Sequence, residues 1–360
     1  MLSFISLKKP VVLAPVLALT LGLASCGGPP TQKGGTPGGE SPTPSGKAVS
    51  LTGAGATFPA PLYQRWFAEY NKVNPNVQVS YQSIGSGAGV EQFLKGTVDF
   101  GASDVAMKDD EIARVSRGVV LLPMTAGAIV FAYNLPDVKE LKLSQQTQAD
   151  IFLGKITKWN DPAIAKENPG IKLPDEKITV VHRSDGSGTT GVFTKYLSAI
   201  SPPWKAKVGD GKTVEWPTGI GAKGNEGVTA QILQTQGAIG YIEYGYAKEQ
   251  NIPMASLQNK SGNFVAPSSQ TAANTLKAVQ LPENLRAFIN NPEGADAYPL
   301  VTYTWILAYK QYPDAEKAKA LKEVLDWAIN SGQPMVEELG YVPLPDSVKE
   351  KVKAAINTIR

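Results

Sequence analysis

Apolar residues from position 48 onward fall into two alternating patterns. Short runs rich in β-branched and aromatic residues predict strands, and longer stretches with apolar residues three or four positions apart predict helices. The predicted strands cover residues 49–52, 77–80, 100–102, 119–122, 128–133, 178–182, 239–242 and 301–306. The predicted helices cover residues 59–73, 87–95, 108–116, 144–153, 188–198, 225–234, 272–279, 315–331 and 346–359. This alternation predicts an α/β fold, and no internal repeat is visible.

The first 25 residues have the pattern of a secretory signal peptide. Lys8 and Lys9 precede an uncharged, mostly apolar run at 11–23, which is shorter than the roughly 20 apolar residues that cross a bilayer. The run ends in Leu-Ala-Ser before Cys26, a sequence that resembles the bacterial lipobox. Cys26 is therefore predicted to be lipidated, with an ordinary buried cysteine as the alternative.

Residues 27–47 contain seven glycines and five prolines and no aliphatic or aromatic side chain. Such a segment cannot bury apolar surface, and as a flexible coil it spans about 25 Å. We therefore interpret residues 26–47 as a lipidated cysteine followed by a tether that carries a globular body near a membrane surface.

The composition of the 360 residues excludes several classes of protein. With 35 basic and 32 acidic residues the formal net charge is only +3, which gives no electrostatic case for a dedicated nucleic-acid-binding protein. One cysteine and one histidine can form neither an intramolecular disulfide nor a Cys/His zinc cluster, so no metal or other cofactor is expected. The length indicates about two domains at roughly 150 residues each.

Three familiar sequence motifs are rejected, because each is incomplete or lacks the strand that should precede it. Residues 219–224 match the GxGxxG expression without a clear apolar strand before them, and residues 211–213 resemble only the end of a phosphate-binding Walker loop. The nucleophile pattern GxSxG is absent around Ser187. His182 has no positioned nucleophile in the sequence, and we interpret it as a residue at a strand end.

Two glycine-rich turns each follow a predicted strand and precede a predicted helix. In residues 53–59, Pro59 takes the first helical position, and the Thr57 hydroxyl lies beside free amides at the helix end. Those amides and the helix dipole favour an anion. In residues 81–89, Ser86 occupies the expected N-cap position, so it either caps its own helix or donates to an anion.

A third segment, residues 183–191, places a guanidinium, two hydroxyls and glycine amides at another predicted helix start. Arg183 suits bidentate contact with a tetrahedral oxyanion, and Asp185 is close enough in sequence to orient it. An ordinary helix cap explains Ser187 but not Arg183. This segment therefore predicts an anion site.

Asp104 ends a predicted strand, and its carboxylate would repel an anion that carries no proton. Monohydrogen phosphate has a P–OH group that such a carboxylate can accept, whereas sulfate has none at neutral pH. Asp104 is thus either a selectivity filter or an ordinary surface carboxylate.

Taken together, the motifs resemble the periplasmic phosphate-binding protein of the bacterial phosphate-specific ABC transporter. They lie in residues 51–61, 98–104, 153–159, 185–189 and 237–241, and the similarity runs from about residue 48 to the end. The resemblance implies a two-lobed periplasmic-binding-protein fold of type II-like topology, with mixed sheets flanked by helices and phosphate in the cleft between lobes.

The resemblance assigns the family's phosphate-binding residues to matching positions of this sequence. They are Thr57, the amide of Phe58, Ser86, Asp104, Arg183, Ser187, Gly188 and Thr189. Asp185 matches the acidic residue that pairs with the arginine. His182 stands where similar members often have another arginine, which changes only the charge outside the direct contacts.

The resemblance also implies the domain organisation and the function. One lobe comprises 48–125 plus 301–360 and the other 126–300. The expected function is high-affinity binding of inorganic phosphate by a monomeric, non-enzymatic lipoprotein outside the cytoplasmic membrane, which delivers phosphate to the transmembrane permease subunits of an ABC transporter by lobe closure. The alternatives are a phosphatase that uses Ser187 or Asp104 as nucleophile, and an adhesion or structural lipoprotein.

Overall fold

Strands and helices alternate along the chain in the computed structural model, which describes residues 48–277 and 279–360. The predicted signal peptide, Cys26 and the predicted linker lie outside these residues. Strands are β1 (Val49–Gly55), β2 (Val77–Ser83), β3 (Phe100–Ser103), β4 (Val119–Tyr133), β5 (Lys142–Leu143), β6 (Thr179–Arg183), β7 (Ile220–Ala222), β8 (Ala238–Glu243), β9 (Ser256–Gln258), β10 (Phe264–Val265) and β11 (Val301–Tyr309). Helices are α1 (Ala60–Val73), α2 (Ser86–Lys95), α3 (Asp109–Ala113), α4 (Gln145–Phe152), α5 (Pro162–Glu167), α6 (Gly188–Ile200), α7 (Pro202–Lys207), α8 (Gly224–Gln234), α9 (Tyr244–Glu249), α10 (Ser269–Lys277), α11 (Ala315–Asn330), α12 (Pro334–Glu338) and α13 (Asp346–Ile356). Among the described residues, no helix is long and apolar enough to cross a membrane.

An eight-stranded mixed sheet organises the fold, in the order β2-β1-β3-β11-β4-β8-β6-β7. Strand β1 runs parallel to β2 and β3, and β6 runs parallel to β7 and β8. Strands β11 and β4 lie antiparallel between these two parallel groups. A small sheet, β10-β9-β5, lies apart from it. The α/β fold class with mixed sheets is confirmed.

The long strand β4 corrects the prediction of two separate strands at 119–122 and 128–133. All fifteen of its residues are buried, and it runs without interruption through Pro123. A register shift opposite Thr304 and Trp305 leaves Met124 as the extra residue of a bulge. A bulge leaves one residue of a strand out of the hydrogen-bond ladder, and proline, which has no N–H to donate, is tolerated at such places. The strand therefore continues past Pro123.

Strand β4 also brings the ends of the two parallel groups together. The first part of β4 pairs with β11, and β11 in turn pairs with β3 as far as Ser103, the last residue of β3. The last part of β4 pairs with β8, whose last residue, Glu243, lies opposite Ile129. The carboxyl ends of β3 and β8 therefore approach one another near the middle of β4. Ligands of open α/β sheets bind at such strand ends. The predicted lobe division near residue 125 lies close to this change of partners and stays a prediction.

Candidate functional site

The turn after β1 carries the first predicted site residues, Thr57 and Phe58. Both are almost fully buried. Helix α1 begins at Ala60 with Pro59 as its N-cap, one position later than predicted. The hydroxyl of Tyr246 donates to the Thr57 carbonyl at 2.6 Å, and the hydroxyl of Tyr341 donates to the Phe58 carbonyl at 2.7 Å. These two hydrogen bonds, both accepted by carbonyl oxygens of the turn, hold the turn in place.

Ser86 does not cap its helix, contrary to the N-cap position predicted for it. It is the first residue of α2, after Gly85 at φ 90°, and makes no capping hydrogen bond. Its Oγ instead accepts from the Asp104 backbone amide at 3.2 Å and lies 3.5 Å from Asp104 Oδ2. Ser86 is therefore directed at Asp104, and the interpretation of it as only a helix cap is wrong.

Asp104 is buried, with 1% of its surface exposed, so it is not a surface carboxylate. Thr304 donates to its Oδ1 at 2.9 Å, and Thr189 approaches its Oδ2 at 3.4 Å. Burial raises the pKa of Asp104 to about 6, against the opposing effects of the Thr304 hydrogen bond and the positive charge of Arg183. At neutral pH the Asp104 carboxylate is ionised, can only accept hydrogen bonds, and is shielded from water.

Arg183 ends β6 and is 3% exposed. Its Nε and Nη2 donate to the two carboxylate oxygens of Asp185 at 2.7 and 2.6 Å. Asp185 also accepts from the Gly224 amide at 3.1 Å. Burial pushes the pKa of Asp185 upward, but the hydrogen bond and charge of Arg183 outweigh it and lower the pKa below its ordinary value. The predicted ion pair between Arg183 and Asp185 is present and fixes the plane of the guanidinium.

Ser187 is the N-cap of α6, and its Oγ accepts from the Thr190 amide at 3.0 Å. Gly188 and Thr189 are the first helical residues, so in the described chain their amides have no backbone acceptor. A Cβ added to Gly188 would lie 2.7 Å from Asp104 Oδ2 and 2.8 Å from Asp104 Cβ. The start of α6 thus packs directly against the end of β3.

The structure brings all of the predicted ligand residues to one buried place at the middle of the sheet. Thr57, Ser86 and Asp104 follow strands β1, β2 and β3, and Arg183, Ser187, Gly188 and Thr189 run from the last residue of β6 into the start of α6. Hydroxyls, free amides and the Arg183 guanidinium lie around the carboxylate of Asp104, while the carboxylate of Asp185 is paired with Arg183. Such a set can bind a tetrahedral oxyanion that carries one proton.

Two buried residues of this place were missed from the sequence. Asn225, at the start of α8, contacts Thr57 and Thr189, and Thr304 of β11 contacts Asp104. A signal for Asn225 existed, because residues 219–224 match GxGxxG and the strand β7 does precede α8. That strand has only three residues, with Gly221 at its centre, and it was not recognised. Thr304 has no local signal.

His182 lies outside the cluster, as a residue of strand β6. Its ring stacks on Trp216 with centroids 4.7 Å apart, and its Nδ1 is 3.1 Å from the Arg183 carbonyl oxygen. Burial lowers the pKa of His182 and so favours the neutral ring. No group of three or more His, Cys, Asp or Glu within residues 48–277 and 279–360 is arranged to hold a metal ion.

Comparison with known proteins identifies the family. A model of the PBP superfamily domain matches residues 40–331. A phosphate-binding protein PstS of Pasteurella multocida is 47% identical over 316 residues, 87% of this chain and 91% of that protein. The PstS of Haemophilus influenzae is 44% identical over 316 residues, 87% of this chain and 94% of the relative. The solved structure of a phosphate-binding protein from Stenotrophomonas maltophilia has the same fold, with a TM-score of 0.69 at 20% identity over 85% of this chain and 93% of its own. The chain therefore belongs to the PBP superfamily and, within it, to the family of phosphate-binding proteins named PstS.

Proposed function

We propose that this protein binds inorganic phosphate outside the cytoplasmic membrane and delivers it to the permease of an ABC transporter. The observation that carries the proposal is the buried carboxylate of Asp104 among hydroxyls, helix-start amides and the Arg183 guanidinium. The names of its relatives agree with this ligand.

The proposed ligands divide by role. The donors are Thr57, the amide of Phe58, Ser86, Arg183, Ser187, and the amides of Gly188 and Thr189, with the Thr189 hydroxyl beside them. Asp104 is the acceptor for the ligand's P–OH group. An anion that carries no proton places its own lone pairs against those of the Asp104 carboxylate and is repelled. The site therefore selects phosphate over sulfate.

The proposed transport signal is closure of two lobes, formed by residues 48–125 with 301–360 and by 126–300. Contacts between these segments support the proposal. The Gly87 amide donates to the Gly186 carbonyl at 2.8 Å, and Lys212 pairs with Glu111 at 3.2 Å. A ligand held from both sides stabilises the closed form through its differential contacts, and the permease can recognise that form.

The proposal includes three features that rest on the sequence pattern. Cys26 carries the lipid anchor after removal of residues 1–25, the body acts as a monomer, and the protein performs no chemistry on phosphate. A phosphatase that uses Ser187 as nucleophile needs a base to activate it. Ser187 Oγ is instead occupied as the N-cap of α6, which disfavours that role.

Calorimetric titration of the unlipidated protein with phosphate, sulfate and arsenate tests this function. We expect saturable, one-to-one binding of phosphate and none of sulfate. Absence of phosphate binding would favour an adhesion or structural role. Hydrolysis of p-nitrophenyl phosphate that Ser187→Ala abolishes would favour the phosphatase.

A further inference from the structure

A cavity of about 370 Å³ lies beside the phosphate site, between the two segments proposed to form the lobes. Asp104 is part of its wall, so the cavity adjoins the proposed ligand position directly. Val105 and Thr302 line it from one segment, and Val192 and residues 287–289 line it from the other. Phe288 in this wall is half exposed, so the cavity reaches the protein surface. It therefore offers a path from solvent to the buried site.

The charged side chains of the phosphate site do not attract a dianion from a distance. At neutral pH Asp104 and Asp185 carry two negative charges against the one positive charge of Arg183. The amides at the helix starts attract an anion, but the effect of a helix dipole is confined to the terminal turn. Attraction over a longer range must therefore come from charges outside the site.

Three lysines line the cavity, one from the first segment and two from the second. Lys212 pairs with Glu111 at 3.2 Å, which offsets its charge. Within residues 48–277 and 279–360, Lys108 and Lys195 pair with no carboxylate. The Lys195 ammonium lies 4.4 Å from the centre of the Phe288 ring, a contact that leaves its charge in place.

We propose that this cavity is the entrance to the phosphate site and that Lys108 and Lys195 draw the anion into it. The proposal rests on the proposed phosphate function. Clefts lined by charge of one sign focus the field and raise the rate at which an oppositely charged ligand arrives. Charges at the rim of a binding site change the association rate and its salt dependence more than the dissociation rate.

Coulomb's law sets the size of the effect. A unit charge about 10 Å from a dianion in water changes the local concentration of the dianion about threefold at an ionic strength of about 10 mM, and about 1.5-fold at about 150 mM. Lys108→Gln and Lys195→Gln should therefore each slow association about threefold at the lower ionic strength, and the double variant about tenfold. The dissociation rate should stay that of the wild type, because neither lysine is among the proposed ligands.

Two measurements give the association rate constant. Equilibrium dialysis against radiolabelled inorganic phosphate gives Kd, and a rapid-filtration chase with excess unlabelled phosphate gives the dissociation rate constant. The association rate constant is the dissociation rate constant divided by Kd. Both measurements are made on the wild type and each variant at about 10 mM and about 150 mM ionic strength. We expect association to fall more steeply with salt in the wild type than in the double variant.

Three further variants separate the effect of charge at the entrance from other effects. Asp210→Asn removes the carboxylate that opposes the lysines in the cavity wall, and it should speed association at low ionic strength. Lys139→Gln makes the same change of net charge at an exposed lysine outside the cavity, and it should leave association unchanged. Lys195→Arg keeps the charge and should keep the wild-type rate. Slow association in Lys195→Arg would instead assign the effect to packing on Phe288 and contradict the proposal.

The remaining outcomes distinguish this proposal from the proposed function. A wild type that binds no phosphate refutes the function itself. Wild-type association rates in Lys108→Gln and Lys195→Gln at low ionic strength overturn the entrance alone, while phosphate binding stands. A change confined to the dissociation rate also overturns it, because the lysines would then act on the bound anion. An equal loss in Lys139→Gln would reduce the effect to the net charge of the whole protein and overturn it as well.

Discussion

Gly188→Ala should separate phosphate affinity from the stability of the fold. Gly188 is the first residue of α6 and has no positive φ, so alanine suits its backbone and favours the helix slightly. The added methyl group, however, would contact Ser86 Oγ and lie 2.7 Å from Asp104 Oδ2 and 2.8 Å from Asp104 Cβ. Ordinary contacts of a Cβ begin near 3.4 Å. The methyl group therefore fits only if the two sides of the site move apart.

The size of the effect follows from the cost of overpacking. Forcing a methyl group into a closely packed place costs about 1–3 kcal/mol. If closure brings these surfaces together only when phosphate binds, this cost falls on binding, and affinity drops by about 5- to 150-fold. Thermal unfolding of the ligand-free variant should stay close to that of the wild type, because the open form has room for the methyl group.

Gly227→Ala is the control for this experiment. Gly227 is also helical, and a Cβ there would meet its nearest atoms at 3.7 Å, an ordinary contact. Calorimetry should show unchanged phosphate affinity for Gly227→Ala and a clear loss for Gly188→Ala. Wild-type affinity in Gly188→Ala would refute the closed packing at this site.

Three further predictions concern charged groups. Arg183→Ala should abolish tight phosphate binding, because it removes a buried guanidinium from the site, and near-normal affinity by calorimetry would refute this role. Asp104→Asn should weaken discrimination between phosphate and sulfate, and the filter argument is wrong if sulfate titration of that variant shows unchanged exclusion. Burial raises the pKa of Glu243 from 4.5 to about 8, so folding takes up a proton there and stability falls as the pH rises from about 4.5 to about 8, by up to about 1.4 kcal/mol per pH unit. Glu243→Gln should flatten this fall in thermal-unfolding midpoints measured across that range, whereas an unchanged slope would show that other groups cause it.

Local patterns explain why much of the fold and the site could be predicted. The turns around Thr57, Ser86 and Arg183 each lie between a strand and a helix, and glycines mark each turn within a few residues. Short helices such as α5, α7 and α12 were missed, because five or six residues are too few to show helical periodicity.

The missed part of the site depends on contacts between distant segments. Thr304 lies 200 positions from Asp104, and Asn225 lies 168 positions from Thr57. Neither residue lies in a sequence pattern that indicates which residue it contacts in the folded chain. The burial of Asp104 likewise arises from strands and helices that meet only in the folded chain, so the sequence left open whether it was a surface carboxylate.

The position of β11 in the sheet has a consequence for the order of folding. Residues 301–309 form the strand between β3 and β4, although both of those strands come far earlier in the chain. Closing such long loops slows folding, because their entropy is lost before the contacts form. During synthesis β1 to β4 therefore emerge without the strand that joins β3 to β4, and Asp104 gains its Thr304 partner only after residues 301–309 have been added.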